Sequence, residues 1–117
     1  MAITIFHNPR CSKSRQTLTL IQERGFTPTI IHYLEEPPSR QQLDQILTKL
    51  ACQPTEIIRW GEDLAKELGI TRNDTRTRAE WIELMVAHPK LIERPIVVSG
   101  DKARVGRPPE RVLEILP

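Results

Sequence analysis

The opening residues constrain this chain more than any other stretch, because they pass from a strand through a proline into a helix and set a cysteine at the join. Ile3 and Ile5 alternate with Thr4 as a half-buried strand does, and Gln16 to Arg24 carries Leu18, Leu20 and Ile21 on one apolar side, as a helix does. Pro9 separates the two. Gly25 is a plausible helix stop, and Thr29-Ile30-Ile31-His32-Tyr33-Leu34 reads as a second strand. The sequence therefore predicts a β-α-β opening, and a right-handed crossover lays its two strands parallel in one sheet.

Cys11 falls where the helix begins. Free backbone N–H groups and the positive end of the helix dipole favour thiolate over thiol there, and Arg10, Lys13, Arg15 and His7 add to the bias. Arg10 and Arg15 are expected to act through their field rather than by contact. The same N–H groups can seat an anion. A nucleophilic sulfur beside an oxyanion seat is the functional expectation, against the plainer one of a packed, inert cysteine.

Beyond Pro37-Pro38, Ser39-Arg40-Gln41-Gln42 has the form of a capping box, and Leu43, Ile46, Leu47 and Leu50 follow at helical spacing. Thr55 is expected to cap a short helix with Ile57 and Ile58, and another runs from Glu62 to Leu68 before Gly69. Thr77-Arg78-Ala79-Glu80 repeats the capping-box form ahead of Trp81, Leu84, Met85 and His88, and Pro89 closes that helix. Pro95 to Val98, a turn at Ser99-Gly100-Asp101, and Ala103 to Val105 read as a hairpin. Pro108-Pro109 then opens a terminal helix with Val112, Leu113 and Leu116. The order is β-α-β, a helical middle, then β-β-α. That is the α/β thioredoxin-like order, with a mixed sheet and a helical insertion at about 39–91, and it predicts a single domain over residues 1–117.

A chain of 117 residues can build a core without disulfides or metal. Cys11 and Cys52 share no Cys-x-x-Cys or Cys/His ligand spacing, so no metal site and no disulfide framework is expected. A net charge of only +2, from 17 Lys+Arg and 15 Asp+Glu, argues against a nucleic-acid-binding surface. With no leader pattern and no membrane-length apolar run, the expectation is a soluble cytoplasmic protein.

The combination His7-x-x-x-Cys11-x-x-Ser14-Arg15, Arg59, Glu93-Arg94-Pro95-Ile96-Val97-Val98 and Gly106-Arg107-Pro108 resembles the glutaredoxin-coupled arsenate reductase family, and is closest to its shorter members. The resemblance extends through Ile31-His32-Tyr33-Leu34-Glu35, Pro37-Pro38-Ser39-Arg40 and Val112-Leu113-Glu114-Ile115-Leu116-Pro117, nearly the whole chain. It implies a cytoplasmic oxidoreductase of arsenic detoxification that reduces arsenate to arsenite. In it, Cys11 is the nucleophile, His7 lowers the thiol pKa by charge or hydrogen bond, and Ser14 bonds the thiolate or caps the helix. Arg59, Arg94 and Arg107 would bind the oxyanion, since planar guanidinium forks suit tetrahedral anions. It further implies glutathione as co-substrate, glutaredoxin as partner, no bound cofactor, and a cis proline at Pro95.

Three rivals bear on this reading. A cysteine phosphatase needs Cys-x5-Arg, and that position here is Thr17. A redox-sensing regulator of the same fold typically needs Cys-x-x-Cys, and Ser14 removes the second sulfur. A glutathione-dependent thiol reductase acting on other substrates stays open. Cys52, Trp60, Trp81, His32 and His88 are read as packing or surface residues.

Overall fold

The computed structural model describes residues 2–117. Its strands are β1 (Ile3–His7), β2 (Thr29–His32), β3 (Ile96–Ser99) and β4 (Lys102–Val105), and its α-helices are α1 (Ser12–Glu23), α2 (Arg40–Leu50), α3 (Asp63–Glu67) and α4 (Arg78–Ala87). Short 3-10 helices run over Pro54–Ile57, Pro89–Leu91 and Pro109–Glu114. Two compact units divide the chain: one takes the residues up to Glu36 with Arg94–Pro117, the other Pro37–Glu93.

The first unit holds the sheet, in the order β2-β1-β3-β4. β1 and β2 are parallel, as a crossover through α1 requires, and β1–β3 and β3–β4 are antiparallel. This is the mixed α/β, thioredoxin-like arrangement. Side chains alternate along β1, so Ile3, Ile5 and His7 share its buried face. Ile3, Ile5 and Val97 meet Ile21 of α1 and Val112 and Ile115 of the C-terminal segment in one core, with Leu18, Leu20, Phe26 and Leu116 around it. His7 is thereby drawn out of water at the end of the strand, where the chain turns into α1. The β3–β4 hairpin turns at Gly100, whose φ of 63° suits a residue without Cβ.

Gly106, just past β4, is fixed by proximity instead. A Cβ there would stand 2.5 Å from Thr17 Oγ1 and 2.9 Å from Pro95 Cγ, while its N–H donates to Pro95 O at 2.9 Å. Gly106 thus lets the segment carrying Arg107 lie directly against α1. Gly106→Ala is expected to lose about 1–3 kcal/mol of stability through overpacking, read from chemical denaturation, with activity falling more than stability alone explains.

In the second unit both capping boxes are present: Ser39 Oγ accepts from Gln42 N–H, and Thr77 Oγ1 from Glu80 N–H, each returned by the N3 side chain. Leu43, Ile46 and Leu47 of α2 and Trp81, Ile82 and Met85 of α4 are buried, and Arg78 pairs with Asp44 at 2.9 Å between the two helices. Among the described residues no helix is long and apolar enough to cross a membrane.

Several boundaries differ from the pattern-based expectation, each for a local reason. α1 starts at Ser12 rather than Gln16, because Cys11 itself is the N-cap and Arg15 N–H already bonds Cys11 O at 3.0 Å. β2 stops at His32 rather than Leu34, where the N–H groups of Glu35 and Glu36 both turn back to His32 O. Thr55 caps nothing: Gln53 precedes the 3-10 turn Pro54–Ile57, and Ile58 leaves it to bridge Ile92. Pro89 opens a 3-10 turn as well as closing α4, and the terminal helix is 3-10 over Pro109–Glu114.

Candidate active site

β1 delivers the chain to His7, and four residues then make the turn into α1. Asn8 organises that turn. Its carbonyl accepts Cys11 N–H at 3.0 Å, its Oδ1 accepts Arg10 N–H at 3.0 Å, and its own N–H donates to Ser14 Oγ at 3.0 Å. Arg15 reaches back from α1 to donate to Pro9 O at 2.9 Å. The loop is tied at nearly every residue. Cys11 therefore sits half-buried in extended conformation (φ −93°, ψ 122°) with the first N–H groups of α1 beneath it.

Those N–H groups matter for the sulfur. Burial works against ionisation of the Cys11 thiol, but it is outweighed by the Ser14 N–H, the Arg94 guanidinium, the Lys13 N–H and the Arg107 guanidinium, in that order. The thiol ionises below its ordinary range. Arg107 is the cation in contact: its Nη2 lies 3.5 Å from Cys11 Sγ. Its Nε donates to Arg94 O at 2.9 Å, which fixes the plane of the fork. Arg94 and Arg107 each precede a proline in a cis peptide bond, Pro95 and Pro108. The first of these bonds was expected; nothing in the sequence pointed to the second.

His7 and Ser14 lie side by side under the thiol. His7 Nδ1 and Ser14 Oγ are 2.6 Å apart, with His7 5% exposed and Ser14 wholly buried. Burial above all, then the potentials of His32 and Arg15, push the His7 pKa below the usual histidine value, so its ring is neutral at pH 7. His7 thus acts through a hydrogen bond shared with the Ser14 hydroxyl rather than through a charge. The Ser14 hydroxyl bonds His7 and accepts from Asn8 N–H, and the Ser14 backbone N–H addresses the sulfur. The pair holds the first turn of α1 in the position from which its N–H groups reach Cys11.

Arg59 belongs to the second unit. There its guanidinium pairs with Glu62 at 3.0 Å and donates to Lys90 O at 3.4 Å, and its N–H donates to Leu91 O at 2.7 Å. Cys52, also in that unit, behaves oppositely to Cys11. Burial first, then the Glu56 carboxylate, raise its thiol pKa despite Arg78. The residue that sequence reading passed over is Asn8, which carries neither charge nor nucleophile. The Asn-Pro pair, a turn initiator, was the available signal.

The family described as ArsC matches residues 6–115, from the end of β1 to the C-terminal segment, and so takes in the whole of this constellation. The chain belongs to the ArsC family. Among its relatives, the Escherichia coli (strain K12) protein YfgD, described as uncharacterized, is 49% identical over 97% of this chain and 96% of that one. The arsenate reductase of the same strain is 45% identical, over 98% of this chain and 81% of the relative. A solved arsenate reductase from Vibrio cholerae superposes with a TM-score of 0.94 at 45% identity, covering 99% of this ArsC-family chain and 98% of that one.

Proposed function

We propose that this ArsC-family protein reduces arsenate to arsenite through the Cys11 thiolate, with electrons from glutathione and a glutaredoxin. One observation carries the reading: the ionisable sulfur of Cys11 stands at the start of α1 with the Arg107 guanidinium 3.5 Å away. Arsenate and thiolate are both anions. A fixed cation between them, backed by Arg94 and by helix N–H groups, offsets a repulsion that water alone would leave. Arg59 joins the oxyanion set on the family pattern alone.

The chemistry closes without a second protein sulfur. Cys11 sulfur attacks arsenic, an S–As bond forms, and one arsenate oxygen leaves as water after protonation, with arsenic still pentavalent. Glutathione displaces a second oxygen, again as water. A glutaredoxin thiolate then attacks the glutathione sulfur, forming a glutaredoxin–glutathione disulfide. The electron pair of that S–As bond stays on arsenic, which becomes trivalent. Hydrolysis of the remaining bond releases arsenite and returns the Cys11 thiol. Two external thiols are oxidised for each arsenate reduced, so glutathione is a co-substrate and no bound cofactor is needed. Such turnover belongs in the cytoplasm, where glutathione is reduced.

The test is NADPH oxidation coupled through glutathione reductase, with glutathione and glutaredoxin present. Arsenate should start the reaction, and omitting either thiol donor should stop it. Absence of arsenate-dependent oxidation, with Cys11 nevertheless becoming glutathionylated, would replace this reading by a thiol reductase acting on another substrate.

A further inference from the structure

We infer that the exposed cations around Cys11 form a docking rim for a protein thiol donor whose active-site border is acidic. This deepens the proposed function and rests on it. From His7 to Gln22 the chain carries Arg10, Lys13 and Arg15 and no carboxylate. All three are exposed, and among the described residues none is paired with a carboxylate; Arg15 spends a donor on Pro9 O, which leaves its charge uncancelled. Elsewhere Arg40, Arg59, Arg76, Arg78, Arg104 and Arg111 each have a carboxylate at 2.9–3.9 Å, and Arg72 lies over the Trp60 ring; Arg24, like the three, has no carboxylate partner among the described residues. The unit bearing Cys11 has nine Lys and Arg against six Asp and Glu, whereas the second unit has eight against nine. The positive excess of the chain thus lies with the thiol.

A small oxyanion does not account for these three groups. The cation in contact with the sulfur is Arg107, whereas the Arg15 guanidinium turns to Pro9 O and Arg10 and Lys13 are exposed. Exposed and flanking Cys11 in sequence, the three are open to a macromolecular partner that approaches the sulfur. The backbone beneath the rim is also tied down. Arg10 is held by its N–H to Asn8 Oδ1, Lys13 lies in the first turn of α1, and Arg15 is clamped to Pro9. Arg15, whose guanidinium is already held, loses little further ordering entropy when a partner docks. Exposed charges of this kind speed encounter with an oppositely charged surface and do so less at high salt.

The experiment isolates the last thiol exchange and needs no arsenate. Cys11 is first converted with oxidised glutathione to its mixed disulfide. A glutaredoxin thiolate attacks the glutathione sulfur, a glutaredoxin–glutathione disulfide forms, and Cys11 leaves as thiolate. The rate is measured with a glutaredoxin bearing acidic residues around its active site and, separately, with the uncharged dithiothreitol. Two double variants are compared with wild type: Arg10→Gln with Lys13→Gln, and Arg10→Glu with Lys13→Glu. Acid at the start of a helix is favourable, so the reversed variant should fold.

The glutaredoxin rate at low salt should fall about threefold on neutralisation and about tenfold or more on reversal, within the range that steering supplies. The dithiothreitol rate should stay within about twofold, and added salt should bring wild type and neutral variant together. Equal losses with both reductants, or no loss with glutaredoxin, overturns the docking rim. Arsenate turnover of wild type is scored separately, so a rim that fails leaves the reductase reading standing, and a failed reductase reading is seen in the arsenate assay.

Discussion

Cys11→Ser should abolish arsenate-dependent turnover, a loss of at least about a thousandfold by comparison with removal of other enzymatic nucleophiles. Cys52→Ser should leave turnover within about twofold, because burial and the Glu56 carboxylate raise the Cys52 thiol pKa and keep it protonated. Steady-state rates in the coupled assay decide this, and equal losses from the two variants would require an internal sulfur relay instead. The same pair of variants reports on ionisation. Since the folded chain lowers the Cys11 pKa, folding favours the thiolate, and that stabilisation is full above the ordinary thiol pKa of about 8.5. It disappears as pH falls through the lowered value. Wild type should therefore gain stability over Cys11→Ser as pH rises, and denaturation midpoints across pH should show it.

Arg107→Ala should cost about a hundredfold to a thousandfold in kcat/KM, the usual range for deleting one donor to a developing charge. Two effects combine. The guanidinium in contact with the sulfur is lost, and so is the Nε bond that orders the Arg94 backbone at 2.9 Å. The pH midpoint for alkylation of Cys11 by iodoacetamide should move up. Arg107→Lys should recover part of the alkylation shift, because charge returns, and little of the catalytic loss, because the fork does not. An unchanged midpoint in Arg107→Ala would mean that the N–H groups and Arg94 alone set the thiolate.

Much of this site was legible in residue order. The alternation at Ile3 and Ile5, Pro9, and the apolar side of α1 are strictly local signals, and they placed Cys11 at a strand-to-helix join, although the apolar pattern set the first helical residue at Gln16 rather than Ser12. Both capping boxes were readable because a Ser or Thr and a Gln or Glu three residues on satisfy each other without help from the rest of the chain. What was not legible depends on burial. Whether His7 acts as a charge or as a hydrogen-bonding ring depends on how far it is withdrawn from water, and its 5% exposure comes from the sheet face and the helix above it. Nor do the partners of the Ser14 hydroxyl, His7 Nδ1 and Asn8 N–H, follow from residue order. The 3-10 segments escaped for a different reason: proline opens either kind of helix, and only downstream packing chooses between them.

The contact between Cys11 and Arg107 spans 96 positions of sequence. The sulfur therefore meets its matching guanidinium only once the β3–β4 hairpin has paired with β1. In the unfolded chain the sulfur lacks that contacting cation, and its tendency to ionise is correspondingly lower. Sheet closure thus completes a reactivity that the helix start alone leaves unfinished.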